Sequence, residues 1–539
     1  MAYGSFLISN YKTGLQTARD PWLSPEDAFV TLENSRVAAG VIEKRTGHSP
    51  LAQMVHGNVK QTSTVLGLWS HQYNYTTWII ACDNKRPNIY DPSTGTMIDI
   101  SGGLDVFGGS VNDEDMFNFL QKDNRTYMTN GQTGVYYFDD STFEPSDIST
   151  HTVTELDMSL STTSLAKINS CKQMFALSDR LIMWDIVEDG TSLQHRLRFS
   201  QGLTRNSVPI FTDDNFLDIP TDDRPVTGRV LGRNLYLWFE HSLWVVKPSG
   251  DTVTTFRSER LRDDLGSVSS FVCIPFKKGL MTLGHKHLIH FDGFEVRELD
   301  LPNLQNILDD FNLTSLKYSW GIYDETNDRV YITMTDSGST LPDRILEYNV
   351  IENTYCKHRV NAQTLVMFNG SERTPWDDAD AAFGSDGDTL AQMPIAGSTT
   401  ALNSEAWYPV FGTRDGFIHR LFNGTSDNMN KYIMRADSAR FNPFSKNGLR
   451  CAMGRVAFLV DTDSAASFVV NLHKNTSETA YKSQVLKCTG NESKTWVSLH
   501  AGGEIGDFHQ IRIYNTGINN KPRIHATWLE MEQAGYIDP

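Results

Sequence analysis

Residues 180–190 read RLIMWDIVEDG. The first seven are mostly apolar, branched or aromatic and of strand length, and the last three tolerate the backbone of a tight turn. The stretch therefore predicts a strand that ends by reversing the chain. The same pattern recurs as NIYDPSTG (88–95), YYFDDSTF (136–143), WVVKPSGD (244–251), IHFDGFEV (289–296), LEYNVIEN (346–353) and HRLFNGTS (419–426). With Tyr90, Phe138, Trp184, Val246, Phe291, Tyr348 and Phe422 as markers, the steps are 48, 46, 62, 45, 57 and 74 residues. A repeat of four antiparallel strands takes ~40–50 residues in propellers, and loop insertions lengthen the step. The spacing predicts an all-β chain built as a β-propeller of roughly six to eight blades. A meandering all-β chain without ring closure would give similar strand–turn pairs and stands as the alternative.

The runs between the markers have the same character: TWIIACD (77–83), GVYYFDD (134–140), NLYLWFE (234–240), RVYITMTD (329–336) and GFIHRLF (416–422). Two short helices are expected, at PEDAFVTLENS (25–35), with Ser24 as cap, and at LPNLQNILDDFN (301–312). Beyond about residue 425 the texture changes to alternating runs such as SFVVNLHKN, HQIRIYNTG and PRIHATWLEMEQAG. Period-two alternation marks half-buried antiparallel strands, so a β-sandwich-like platform module is expected there. The expected organisation is an arm with a short helix and first strands packing with the platform (1–60), a propeller (61–425) and the platform (426–539).

A chain of 539 residues, 39% hydrophobic and 21% charged, lies in the globular range and exceeds one small domain. No basic, apolar-cored leader opens it and no run reaches the length of a membrane span, so the expectation is folding in a cytosol without stable membrane insertion. Cys82, Cys171, Cys273, Cys356, Cys451 and Cys488 are scattered singly, which predicts reduced thiols. Sequons such as Asn74-Tyr-Thr and Asn423-Gly-Thr are then chance matches. A net charge of −17 argues against tight DNA binding, which draws on cationic contacts to phosphate. It suits a surface along which DNA slides without sticking.

Chemistry-bearing clusters are few. His285 and His287 in GHKHLIHFD would share a strand face and offer two imidazoles to a metal, with His290 beyond, but no third ligand is marked. Cys356 and His358 in TYCKHRV share a face in the same way. The loop at 374–391 gathers Asp377, Asp378, Asp380, Asp386 and Asp388 without the spacing of a calcium loop, and reads as solvated. Asp213-Asp214 and Asp222-Asp223 read as exposed turns. The basic segments EKRTGH (43–48) and FRSERLRDD (256–264) read as solvated strand ends or inter-subunit ion pairs. The repeated Ser-x-Asp turn of sialidases is absent, as are the nucleophile-elbow, HExxH, phosphate-loop and dinucleotide patterns. The sequence therefore assigns no catalytic, cofactor-binding or metal residue and predicts a protein that is not an enzyme.

PWLSPEDAFVTLENSRVAAGVIEKRTGH (21–48) resembles the opening of the tail nozzle, or packaged-DNA-stabilisation, proteins of short-tailed bacteriophages. The matching residues are Asn34, Gly40, Val41, Glu43, Lys44, Arg45 and Gly47. YDETNDRVYITMTDSG, DRILEYNVIENTYCKH, GTRDGFIHRLFNG and the terminal PRIHATWLEMEQAG are similar to later strands of that family, in the same order. The resemblance implies a structural virion protein: a homohexameric ring at the distal end of the tail, assembled in the host cytoplasm. It would sit below the tail adaptor and beside fibre, spike or needle proteins. Viral DNA would be retained and then released through the ring's channel without sequence-specific binding. A receptor- or glycan-binding propeller, a sialidase-like glycosidase and a cellular propeller scaffold are the rival expectations.

Overall fold

Hairpin turns fall on residues whose side chains tolerate a left-handed backbone: Asp123, Ser178, Asp328 and Asn353 adopt φ of 54°, 57°, 51° and 55°. Between such turns the chain is almost entirely β-strand in the computed structural model. It describes residues 4–537 except 18, 74–75, 93, 109–114, 140–151, 161–165, 205–206, 251–254, 286, 300–307, 371–406, 491–493 and 519. No helix among the described residues is long and apolar enough to cross a membrane.

Seven antiparallel sheets have four consecutive strands side by side or nearly so. Sheet 1 runs from Gly67–Tyr73 to Thr96–Asp99, sheet 2 from Asn118–Lys122 to Thr154–Glu155, and sheet 3 from Ile168–Leu177 to Phe216–Asp218. Sheet 4 runs from Pro225–Leu231 to Phe256–Arg262, sheet 5 from Cys273–Phe276 to Val296–Glu298, and sheet 6 from Gly321–Asp324 to Thr354–Arg359. Sheet 7 takes Thr364–Asn369, Trp407–Gly412 and Phe417–Leu421, and its fourth strand is His48–Gln53 from the other end of the chain. The first strands of successive sheets touch, and that of sheet 7 touches that of sheet 1, so the seven sheets close a cycle. Apolar side chains fill the space between neighbours: Trp184 and Leu197 of sheet 3 meet Leu237 and Phe239 of sheet 4, and Trp238 and Val245 of sheet 4 meet Leu280 and Phe291 of sheet 5. Each such fully buried side chain contributes about 1.5–3 kcal/mol.

Six of the seven sequence markers lie in or directly after the third strand of a sheet. Trp184 lies instead in the second strand of sheet 3, Arg180–Glu188, where the Glu-Asp-Gly turn leads into the third strand, Thr191–Phe199. A bulge at Asp185, with φ of 54°, breaks the register between Trp184 and Ile186.

Apart from the two-stranded hairpin Val55–His56/Val59–Lys60, the remaining strands form two further sheets. One is ordered Ser35–Ala38, Val41–Lys44, Arg523–Tyr536, Leu449–Asp461 and Thr495–Gly506, with Gly4–Ile8 also pairing Arg523–Tyr536. The other, Ala28–Glu33, Met434–Ser438, His509–Asn515, Ala466–Lys474 and Lys482–Cys488, continues from the edge of sheet 6 through one parallel pair, Glu33 with Lys357. Val456, Phe458 and Leu529 of the first meet Phe468, Val470 and Ile513 of the second in one core.

Two expectations are corrected. Residues 25–35 hold no helix: Ala28–Glu33 is a strand, because Phe29, Val30 and Thr31 suit a pleat and two partners are at hand, Gly14–Leu15 and Met434–Ser438. The first 60 residues do not all pack with the C-terminal strands, since His48–Gln53 pairs antiparallel with Phe417–Leu421. Of the helix expected at 301–312, residues 301–307 lie outside the described residues and Leu308 and Asp309 are helical.

Candidate functional site

Arg45 ends the hairpin Ser35–Ala38/Val41–Lys44 and its side chain is wholly buried. Its guanidinium donates two parallel bonds to Asp427, at 2.8 and 2.5 Å, and its Nε donates to Asn34 Oδ1 at 2.9 Å. The Tyr432 ring lies 4.0 Å beneath it, and the Tyr432 hydroxyl donates to the Arg45 carbonyl. Asn34 accepts from the Arg359 amide at the edge of sheet 6, and its own amide nitrogen donates to Ile433 O. Its φ of 51° is one that asparagine tolerates better than most residues.

The next residue, Lys44, donates to Asn515 Oδ1 at 3.0 Å and Gly517 O at 2.6 Å. Burial, with Arg45 beside it, lowers its ammonium pKa to about 8. Glu43 pairs with Arg36 and, at 3.1 Å, with Lys521. A Cβ on Gly47 would overlap the Ser426 carbonyl, and Gly40 turns the hairpin at φ of 69°. Six of the seven residues that carry the family resemblance thus have a specific task, and Val41 pairs with Ala38 in the hairpin itself.

The loop that receives them is itself strained. Phe422 and Met429 adopt φ of 56° and 66°, a region that bulky residues avoid. Asp427 lies 3.8 Å from His48 Nε2, and His48 Nδ1 lies 3.2 Å from His419 Nδ1. Burial lowers both imidazole pKa values, that of His419 to about 4 with His48 adding to the effect. Beside this loop, sheet 6 carries a second buried row: Arg329 pairs with Glu347, and His358 Nε2 lies 2.7 Å from Glu347. Burial and the surrounding arginines hold His358 well below its ordinary pKa. The junction joins the first hairpin, sheet 6, sheet 7 and the C-terminal sheets through desolvated charges.

The basic segment at 43–48 is therefore neither a solvated strand end nor an inter-subunit surface, because its charges find internal partners hundreds of residues away. The segment at 256–264 is exposed as expected, with Arg262 paired to Asp264. His285 and His287 do not share a strand face: Gly284 N donates to His287 O in a turn that precedes Leu288–Phe291. His285 instead stacks beside His241, while half-buried His290 meets the edge of Phe276. Asp223, Glu240 and His241 do gather, but Asp223 already accepts from the His241 amide and Ser242, fixing a turn. Cys356 and His358 do share a buried face, and burial pushes the thiol to about 11. All six cysteines are free and buried. Asp213 and Asp214 are exposed in a turn, and the acidic loop at 374–391 lies outside the described residues.

A second feature lies where the seven first strands converge. They line a cavity of about 550 Å³ with mostly apolar and aromatic side chains, among them Trp69, Phe119, Phe271 and Trp320. Among its lining residues only Arg229 and Glu325 carry charge. Nothing local in the sequence marks this cavity, or Asn34 and Asp427 as partners of Arg45.

No family model matches the chain, and no curated protein matches it. Among solved structures, the bacterial surface component PorZ of the type-IX secretion system of Porphyromonas gingivalis aligns at 10% identity and a TM-score of 0.34, over 66% of this chain and 39% of PorZ. The exo-β-1,3-galactanase Pc1,3Gal43A of Phanerochaete chrysosporium aligns at 7% identity and a TM-score of 0.26, over 86% and 99% of the two chains. Likenesses of this size identify neither a family nor an activity.

Proposed function

We propose that the chain is a structural subunit of a short phage tail, a nozzle protein whose seven sheets are the blades of a β-propeller. In this reading His48–Gln53 closes the ring of blades from the N-terminal side, and the two further sheets form a sandwich-like platform toward the adaptor. The observation that carries it is the convergence of Asn34, Glu43, Lys44, Arg45 and Gly47 on one buried junction. These residues bear the resemblance to nozzle proteins, and they tie blades to platform. A rigid joint of this kind suits a subunit that transmits force between an adaptor and a distal opening.

DNA does not thread the blades. The seven first strands close around a cavity of only about 550 Å³, filled in from its walls by Trp69, Phe119, Phe271 and Trp320. A duplex whose major groove alone is about 12 Å wide cannot enter it. The conduit is the axis of a homohexameric ring of subunits, whose acidic balance limits sticking.

Electron microscopy of the purified protein, alone and with an adaptor–portal complex, tests the reading. A closed ring at the distal end of the tail supports it. A monomer that never joins the tail with its partners present overturns it, and then sugar-binding and hydrolase assays become the next measurements.

A further inference from the structure

We infer that the axial cavity is a binding site for a small organic carboxylate carried on a flat apolar ring. This stands on the cavity alone and holds whether or not the chain joins a tail. At about 550 Å³ the space lies within the ~300–1,000 Å³ of small-molecule sites, and its composition follows their pattern of apolar walls with few polar groups. Trp69 and Phe119 stack at 6.1 Å on one side, and Phe271 and Trp320 at 4.8 Å on another, so flat aromatic surface borders the space.

Arg229 supplies the polar anchor. Its Nη1 donates to the Cys273 carbonyl at 2.9 Å, and among the described residues it has no carboxylate partner. Burial depresses its pKa, which is the signature of a guanidinium short of compensating charge. Arg45, Arg198 and Arg329, by contrast, are paired with Asp427, Glu188 and Glu347. A guanidinium with one fixed bond retains donors in the planar fork that matches a carboxylate. Glu325, the one acid among the lining residues, is exposed and makes no ion pair with Arg229. In a chain of net charge −17, a lone cation behind aromatic walls selects an anion that can leave water, which a carboxylate on an apolar ring does more readily than a phosphate or sulfate.

Isothermal titration of the full chain with 2-naphthoate and with its neutral analogue 2-naphthamide tests the assignment. The expected result is saturable binding of one naphthoate per chain, with naphthamide weaker by about tenfold or more. Arg229→Met removes that difference while its unliganded melting temperature stays near that of the parent. Arg229→Lys, which keeps the charge but not the fork, gives an intermediate loss, and it serves if the Met variant does not fold. Equal affinity for naphthoate and naphthamide, unchanged naphthoate binding in either variant, or no naphthoate binding at millimolar concentration overturns the inference.

Discussion

Arg45 and Asp427, 382 residues apart in the chain, meet in a two-bond fork that closes the joint between the first hairpin and the loop after sheet 7. The arginine is fully buried and the aspartate nearly so. Removing one partner leaves the other charge desolvated, and that costs about 3–5 kcal/mol.

Arg45→Met and Asp427→Leu should each destabilise the chain by that amount in urea unfolding, while the double variant loses less than the two losses added. A double-mutant cycle measures the difference. Strict additivity would mean that the fork contributes no coupling of its own.

Stability should fall with acid through the histidine pair. Burial keeps His419 and His48 neutral in the folded chain, with pKa values below the ordinary 6.5, near 4 for His419. The unfolded chain therefore binds more protons between pH 6.5 and 4. The stabilisation is complete above pH 6.5 and is lost as pH falls toward 4, by up to about 3 kcal/mol for His419. Melting temperatures from pH 4 to 8 read the slope, and His419→Gln should flatten it; an unchanged slope would contradict the assignment.

Gly47→Ala should weaken the closing strand. Its Cβ would meet Ser426 backbone, which has no flexible end to give way, at a cost of about 1–3 kcal/mol or more. Gly338→Ala, where a Cβ meets open space without a positive φ, should leave stability unchanged. Limited proteolysis around residues 45–60 distinguishes the two, and equal protection in both variants would count against a tight passage at Gly47.

The thiols should be silent in the native chain. All six are buried, and burial pushes Cys171, Cys273 and Cys451 up to about 12. Iodoacetamide at pH 8 should label none of them in buffer and all six in denaturant, as counted by intact mass. Rapid native labelling would show that a strand opens readily.

Much of the local fold was legible. RLIMWDIVEDG and its counterparts marked strands and reversals because branched and aromatic residues favour a pleat and Asp, Asn and Gly accept a left-handed turn. The misreading at 25–35 had a local cause too: Pro-Glu-Asp after Ser24 looks like a helix start, and only the neighbouring strands Gly14–Leu15 and Met434–Ser438 recruit Phe29 and Thr31 into a sheet. Alternation predicts a shared face for His285 and His287, but it lapses inside a turn.

By itself the sequence determined the all-β character, the approximate repeat and the positions of most reversals, since each depends on residues a few positions apart. Tertiary structure alone decided that His48–Gln53 completes sheet 7, that Lys44 and Arg45 are buried rather than solvated, and that Arg229 borders the axial cavity with no ion-pair partner among the described residues. The physical reason is that a charge's free energy is set by its solvation and by its partner, and both come from segments hundreds of residues away.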